Sequence, residues 1–177
     1  MKNITLVTGG CRSGKSGYAL KLAGCNENGK KVFIATCVPR DDEMRSRVEK
    51  HRQERGKGWE TVECPLDLAG AIKRVEPGTN VILIDCLTLW TSNLLEQTQD
   101  TAAIMEHVKS LRNAMDRARS DIIIVTNEVG SGIVPENPLA RHFRDVMGMV
   151  NSSMAAFADR VVWMVAGIPV VVKGETG

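Results

Sequence analysis

Residues 9–16 read Gly-Gly-Cys-Arg-Ser-Gly-Lys-Ser, which matches the phosphate-loop pattern G-x-x-x-x-G-K-[ST]. The glycines of such a loop let the backbone approach an anion, and successive N–H groups then face the phosphate oxygens. Lys15 can reach the β- and γ-phosphates of a nucleoside triphosphate, and the Ser16 hydroxyl can bind Mg²⁺. The loop follows the apolar run 4–8 and precedes a helical pattern, as a phosphate loop requires. The sequence therefore predicts a nucleoside triphosphate site formed by Gly9, Gly10, Cys11, Arg12, Ser13, Gly14, Lys15 and Ser16.

Three acidic residues stand at or just beyond the ends of predicted strands, where parallel sheets bind their ligands. Asp85 ends the apolar run 81–84 and could hold Mg²⁺ beside the phosphates, or could merely cap the following helix. Glu63 could contact a ligand or lie on a solvated surface. Glu128 is a weaker candidate for the same cluster and could equally be a turn residue.

His51 lies in segment 41–55, which begins acidic and ends basic, as suits a helix dipole. Its position follows the helical spacing of the apolar residues before it, so the imidazole lies on the apolar face of the predicted helix. From this spacing, His51 is either a packed, partly buried side chain or a neutral imidazole that attacks a phosphorus atom. In the second case Arg47 and Arg55, at i±4, would hold the phosphate charge. Periodicity leaves both interpretations open.

A sheet must position these residues, because short β-branched runs alternate with longer helical patterns along the chain. That alternation predicts an α/β fold with mostly parallel strands and flanking helices. The last two strands are separated only by Gly167, so we expect an antiparallel edge hairpin, where Pro169 is tolerated. The predicted strands are 3–8, 31–36, 60–63, 80–85, 121–126, 160–166 and 168–172. The predicted helices are 14–24, 41–55, 66–75, 87–97, 101–118 and 138–158.

The longest predicted helix, 138–158, has a clear start, since Asn137 can cap it and Pro138 occupies its first position. Its apolar residues follow helical spacing and should face the sheet as core rather than bind a ligand. They are Leu139, Phe143, Val146, Val150, Met154 and Phe157.

Length and composition are those of one domain spanning residues 1–177. A net charge of +2 and an aromatic content of 4% argue against nucleic acid as a partner. No apolar run approaches the length of about 20 residues that a membrane helix needs, and a strand begins too early for a signal peptide. The five cysteines lack C-x-x-C spacing and fit reduced thiols. We therefore expect a cytoplasmic protein.

Several short segments, including the phosphate loop, match the sequence pattern of one family, and they follow one another in the same order along the whole chain. They are 7–16, Ile34-Ala35-Thr36, Asp42-Glu43-Met44 with Arg47-Val48 and His51-Arg52, 59–63, 85–90, Thr126-Asn127-Glu128-Val129-Gly130, 132–137 and 140–145. Together they resemble one family, the bifunctional adenosylcobinamide kinase/adenosylcobinamide-phosphate guanylyltransferase of cobalamin biosynthesis. The one visible departure is Cys11, where the family commonly has alanine, and a thiol there could make activity sensitive to oxidation.

The resemblance implies two reactions on one corrinoid. A nucleoside triphosphate, ATP or GTP, phosphorylates the aminopropanol arm of adenosylcobinamide, and GMP then passes from GTP onto that phosphate. It also implies a RecA-like phosphate-loop fold and a homo-oligomer, expected to be a trimer.

The resemblance assigns roles to individual residues as well. His51 matches the histidine that becomes guanylylated. The phosphate-loop pattern itself, and not the resemblance, assigns Lys15 to catalysis and, with the strand-end position of Asp85, makes Ser16 and Asp85 the expected Mg²⁺ ligands. Beyond the loop, nucleotide contacts would fall on Ile34, Ala35, Thr36, Arg52, Gln53, Glu54, Arg55, Glu63 and Asp85.

Two alternatives stay open on the sequence. A monofunctional small-molecule kinase would use the same loop with His51 as a packed side chain. A nucleotide-dependent switch would bind a protein partner, but Asn127 is followed by Glu-Val-Gly and not by the N-K-x-D guanine-reading pattern of switch GTPases.

Overall fold

A computed structural model describes residues 2–24, 29–39, 42, 46, 55 and 58–175. Its strands are β1 (Ile4–Gly9), β2 (Lys30–Ala35), β3 (Trp59–Glu63), β4 (Thr79–Asp85), β5 (Asp121–Val125), β6 (Arg160–Val165) and β7 (Ile168–Lys173). Its helices are α1 (Lys15–Gly24), α2 (Leu68–Arg74), α3 (Leu87–Gln97), α4 (Thr101–Arg117) and α5 (Pro138–Phe157).

The seven strands form one sheet in the order β3-β2-β4-β5-β1-β6-β7. Every neighbouring pair is parallel except β6–β7, which is antiparallel at the edge of the sheet. The predicted α/β architecture and the predicted edge hairpin are therefore confirmed. Strand β5, which comes late in the sequence, lies between β1 and β4 and so reaches the centre of the site.

The central strands β4 and β5 each contain a continuous buried apolar run, 81–84 and 122–125, because both faces of the sheet are covered. In β4, Ile82 and Ile84 belong to a core cluster on one face, while Val81 and Leu83 belong to a cluster on the other. Helices α2, α3, α4 and α5 contribute buried residues to the first cluster, and α1 packs Ala19 and Ala23 into the second. The second face is the one on which the candidate site opens.

Helix α5 begins as predicted, with Pro138 in its first turn and the Asn137 side chain accepting from the N–H groups of Leu139 and Ala140. Val146, Val150 and Met154 are buried, and Phe143 and Phe157 pack against the same cluster. Leu139 corrects the predicted stripe, because its side chain is 58% exposed. The first two turns of α5 contain no buried residue, so burial starts only at Val146.

The remaining differences are at the ends of helices and strands. The helix predicted over 66–75 begins at Leu68, because the Asp67 carboxylate caps it by accepting from the Gly70 N–H at 2.8 Å. The helix predicted over 41–55 lies outside the described residues, apart from residues 42, 46 and 55. Within the described part of the chain, every helix is too short or too polar to span a bilayer.

Candidate active site

The sheet brings the two predicted carboxylates into one cross-strand row. Ala35 of β2 pairs with Glu63 on one side and with Asp85 on the other, and Asp85 pairs with Val125 of β5. Because neighbouring strands lie about 4.8 Å apart, the Cα atoms of Glu63 and Asp85 are separated by about 10 Å. The small side chain of Ala35 lies between them, which leaves room for a ligand above the row.

A cavity of about 480 Å³ lies over this row and against the phosphate loop. Most predicted site residues that the structure describes line it, including the loop from Cys11 to Ser16, both carboxylates and Arg55. The described residues that line it are Cys11, Arg12, Ser13, Gly14, Lys15, Ser16, Gly17, Phe33, Ala35, Cys37, Pro39, Arg55, Thr61, Glu63, Asp85, Cys86, Leu89, Val125 and Asn127.

Lys15 is folded back into the loop. Its ammonium donates to the Gly10 carbonyl at 2.5 Å and to the Ser13 hydroxyl at 3.4 Å, and the residue is only 8% exposed. Burial lowers the pKa of Lys15 below its ordinary value, although the nearby Cys11, Cys86 and Asp85 act in the opposite direction. The nearby acidic groups only partly compensate for burial of the Lys15 ammonium. A bound phosphate would supply the missing negative charge.

Only some of the loop glycines are required by the backbone. Gly9 has φ +151°, and a Cβ built on it would come within 2.5 Å of the Met164 carbonyl oxygen. Gly14 has φ +89°, a conformation that side chains disfavour. Gly10 differs from both, because its φ is not positive and an added Cβ would meet nothing within 4 Å.

We therefore expect Gly9→Ala and Gly10→Ala to behave differently. The Gly9 variant should be destabilised by roughly 1–3 kcal/mol, because a side chain there combines an unfavourable φ with a backbone clash. That corresponds to a fall in melting temperature of about 2–4 °C per kcal/mol for a chain of this size. Gly10→Ala is the matched control and should melt like the parent protein. Equal melting temperatures for the two variants would contradict this account of the loop.

A buried clamp fixes the Asp85 end of β4. The Thr36 hydroxyl donates to the Cys86 carbonyl and accepts from the Cys86 N–H, both at 2.8 Å. The side-chain amide of Asn93 donates to the Thr36 carbonyl at 2.9 Å and so ties α3 to the same point. Burial raises the pKa of Cys86 to about 11, so its thiol stays protonated at neutral pH.

This clamp changes what is expected of the predicted triplet 34–36. Ala35 lines the cavity, but the side chains of Ile34 and Thr36 are fully buried and Ile34 belongs to the core on the opposite face. Neither of these side chains faces the cavity. Thr36 instead holds the main chain at the end of β4 through its hydrogen bonds to Cys86.

The outer wall of the cavity is formed by Arg55 and its support. The Arg55 guanidinium lies 3.7 Å from the centre of the Phe33 ring, and Arg55 Nη2 is 3.5 Å from the Thr61 hydroxyl. Trp59 packs edge-on against Phe33, with ring centroids 6.2 Å apart. The position of Arg55 in this wall is thus set by residues of β2 and β3.

Other predicted site residues are not brought to the cavity or cannot be placed. His51, Arg52, Gln53 and Glu54 lie outside the described residues. Glu128 does not line the cavity, and its carboxylate accepts from the Gly130 N–H within its own turn. Of the two interpretations of Glu128, the structure matches the turn residue.

The described residues suit Mg²⁺ held together with a substrate. Ser16 and Asp85 both line the cavity, and Mg²⁺ in nucleotide sites is commonly bound by one or two protein oxygens with phosphates and water supplying the rest. Among the described residues there is no cluster of three or more His, Cys, Asp or Glu side chains that would form an all-protein metal site. The set therefore fits a metal ion that arrives with the nucleotide.

The fold and the site together define a RecA-like P-loop NTPase architecture. A solved ATPase domain superposes with a TM-score of 0.58 at 13% identity, covering 99% of this chain and 78% of that one. The flagellar accessory protein FlaH from Methanocaldococcus jannaschii superposes with a TM-score of 0.54 at 11% identity, covering 98% and 79%. These likenesses concern the fold alone.

The chain belongs to the cobinamide kinase / cobinamide phosphate guanyltransferase family, whose model matches residues 5–172. It is 42% identical to the bifunctional adenosylcobalamin biosynthesis protein CobU of Escherichia coli (strain K12), over 96% of this chain and 99% of that protein. It is 39% identical to the bifunctional adenosylcobalamin biosynthesis protein CobP of Pseudomonas aeruginosa, over 96% and 97%. The family is one of enzymes, which sets the nucleotide-switch alternative aside.

Proposed function

We propose that this chain phosphorylates adenosylcobinamide with a nucleoside triphosphate and then transfers GMP from GTP to the resulting phosphate. The product of the second step is adenosylcobinamide-GDP, and pyrophosphate is released. The observation that carries this proposal is the match to the bifunctional relatives along nearly the whole of both chains. The cavity supports it, because the phosphate loop and both carboxylates line the same cavity.

In the kinase step, the oxygen of the substrate hydroxyl attacks the γ-phosphorus and the bond to the β-phosphate oxygen breaks. The hydroxyl proton passes to solvent or to a carboxylate of the site. Lys15 and the loop N–H groups hold the phosphate oxygens on which charge builds up. Mg²⁺, held by Ser16 and Asp85, would offset that charge when the nucleotide is bound.

In the guanylyl step, an imidazole nitrogen of His51 attacks the α-phosphorus of GTP and pyrophosphate leaves. A phosphate oxygen of the corrinoid then attacks the same phosphorus, and the P–N bond to His51 breaks. The covalent route divides one transfer into two easier steps. Arg55, which lies in the cavity wall and follows His51 closely in the sequence, would hold the charge of the phosphate.

The finer parts of this proposal rest on the sequence. A cytoplasmic location, a trimeric assembly and the role of His51 are predictions, and the proposal allows either ATP or GTP as phosphoryl donor. Each is compatible with the described residues, and none is needed for the experiment below.

The direct test is product analysis of the purified protein. We expect incubation with adenosylcobinamide, ATP, GTP and Mg²⁺ to yield the corrinoid phosphate first and the corrinoid-GDP later, both separable by liquid chromatography and identified by mass. Adenosylcobinamide phosphate supplied in place of adenosylcobinamide, with GTP and Mg²⁺, should give only the second product. Formation of the first product without the second would leave a monofunctional kinase, and formation of neither would overturn the proposal.

A further inference from the structure

Asn127 stands at the centre of the site although no role has been assigned to it so far. Strand β5 lies between β1, which leads into the phosphate loop, and β4, which ends at Asp85. The ladder continues past the end of β5, because the Glu128 N–H donates to the Gly9 carbonyl at 3.0 Å. Asn127 is therefore level with the start of the loop, and it lines the cavity together with Val125, two residues before it.

The main chain of Asn127 is held on both sides by side chains of two helices. Its N–H donates to the Thr88 hydroxyl of α3 at 2.7 Å, and its carbonyl accepts from the Asn151 side-chain amide of α5 at 3.0 Å. The other end of the Asn151 side chain accepts from the Thr126 hydroxyl at 2.7 Å. The backbone is thus fixed without any contribution from the Asn127 side chain.

The side-chain amide of Asn127 makes no hydrogen bond to any residue that the structure describes, and it borders the cavity. This contrasts with Asn93 and Asn151, whose side-chain amides are both used to hold backbone atoms. A polar side chain at a cavity wall, on a backbone that is held in place and with no hydrogen bond to the described residues, is suited to a ligand.

We propose that the Asn127 side-chain N–H₂ donates a hydrogen bond to an oxygen of the terminal phosphate of a bound nucleoside triphosphate. This inference rests on the proposed function and adds a residue to it. Lys15 approaches the β- and γ-phosphates from the loop and Asp85 approaches from β4, so the terminal phosphate lies beneath the end of the strand between them. A neutral donor carried by that fixed backbone stabilises the negative charge that develops on the phosphate during transfer.

The proposal distinguishes a triphosphate from a diphosphate, which gives it a direct test. Affinities of the α,β-methylene analogues of GTP and GDP are measured by calorimetry with Mg²⁺ and without corrinoid, so that no transfer occurs. Asn127→Ala should weaken binding of the triphosphate analogue by about tenfold, as expected for the loss of one hydrogen bond to a charged group, and leave the diphosphate analogue within twofold. Asn127→Asp should lose more affinity for the triphosphate analogue than Asn127→Ala does, because a carboxylate repels the phosphate that the amide attracts.

Asn80→Ala is the matched control, since Asn80 is exposed and lies near the start of β4, at the opposite edge of the sheet. Phosphoryl transfer by Asn127→Ala should fall by about 10²-fold in kcat, the size seen when one preorganised donor is removed. An equal loss of affinity for both analogues, or no loss of affinity for either, would overturn the inference. So would a variant whose only defect is a raised KM for the corrinoid, which would place Asn127 in the acceptor site.

The two proposals fail separately. If the parent protein binds the analogues but forms no corrinoid phosphate, the substrate assignment is wrong while the contact of Asn127 is still measured. If the parent forms both products and Asn127→Ala changes the affinities for the triphosphate and diphosphate analogues equally or not at all, the substrate assignment stands and the contact is wrong.

Discussion

Lys15→Ala should lower the rates of both reactions by at least about 10²-fold, the largest loss expected of any loop residue. The ammonium now donates to the Gly10 carbonyl and to Ser13, which places it inside the loop where the phosphates would bind. Both reactions break a bond within the same triphosphate chain, so both depend on the charge that Lys15 supplies. The measurement is a steady-state rate for each product under saturating GTP and Mg²⁺.

Two controls separate this effect from a folding defect. Lys109→Ala removes an exposed lysine that pairs with Glu106 on the surface of α4, and its rates should equal those of the parent. Lys15→Ala should also melt close to the parent temperature, because burial lowers the pKa of Lys15 and the folded state thus already disfavours the ammonium form. A variant that is fully folded and turns over at a normal rate would refute the assignment of the loop.

His51→Ala should abolish covalent guanylylation while leaving phosphorylation of the corrinoid within a few-fold of the parent. The reason is chemical, since no other group is proposed to form a P–N bond with the α-phosphorus. The protein is incubated with Mg²⁺ and GTP labelled at the α-phosphate, denatured, and examined for retained label. A phosphoramidate should be labile to acid and stable to alkali.

The chain offers matched controls for this experiment. It contains three histidines, so His107→Ala and His142→Ala remove the other two imidazoles one at a time. Both variants should retain the label. Absence of label on the parent, or its retention by His51→Ala, would return His51 to the role of a packed side chain on an amphipathic helix.

The fold could be predicted closely because its signals are local. Continuous apolar runs identify β4 and β5 as buried parallel strands, and Asn137 with Pro138 identifies the start of α5. One prediction was wrong, namely that the apolar residue at the start of the α5 stripe is buried. Leu139 has the right spacing, but spacing does not show how far a helix extends before it meets the sheet.

The site could be predicted only in part, since strand order decides which strand ends meet. The ends of β3, β2, β4 and β5 were all recognisable in the sequence, yet nothing in the sequence shows that Ala35 separates Glu63 from Asp85. Asn127 was recognised as part of a motif without a role, because its importance comes from β5 lying between β1 and β4. Phe33 and Thr61 were missed because a residue that supports Arg55 has no signature of its own.

The central position of β1 also has a bearing on how the chain acquires its structure during synthesis. Ile4 pairs with Ile122, and Leu6 pairs with Val161, so the first strand is flanked on both sides by strands made much later. Pairings this distant in sequence close large loops and slow folding relative to local contacts. The phosphate loop leaves the ribosome well before β5 and β6, so the strands that flank β1 are absent until residues beyond 125 have followed. A nascent chain that stops short of β5 would thus expose unpaired strand edges and carry no part of the catalytic site in working form.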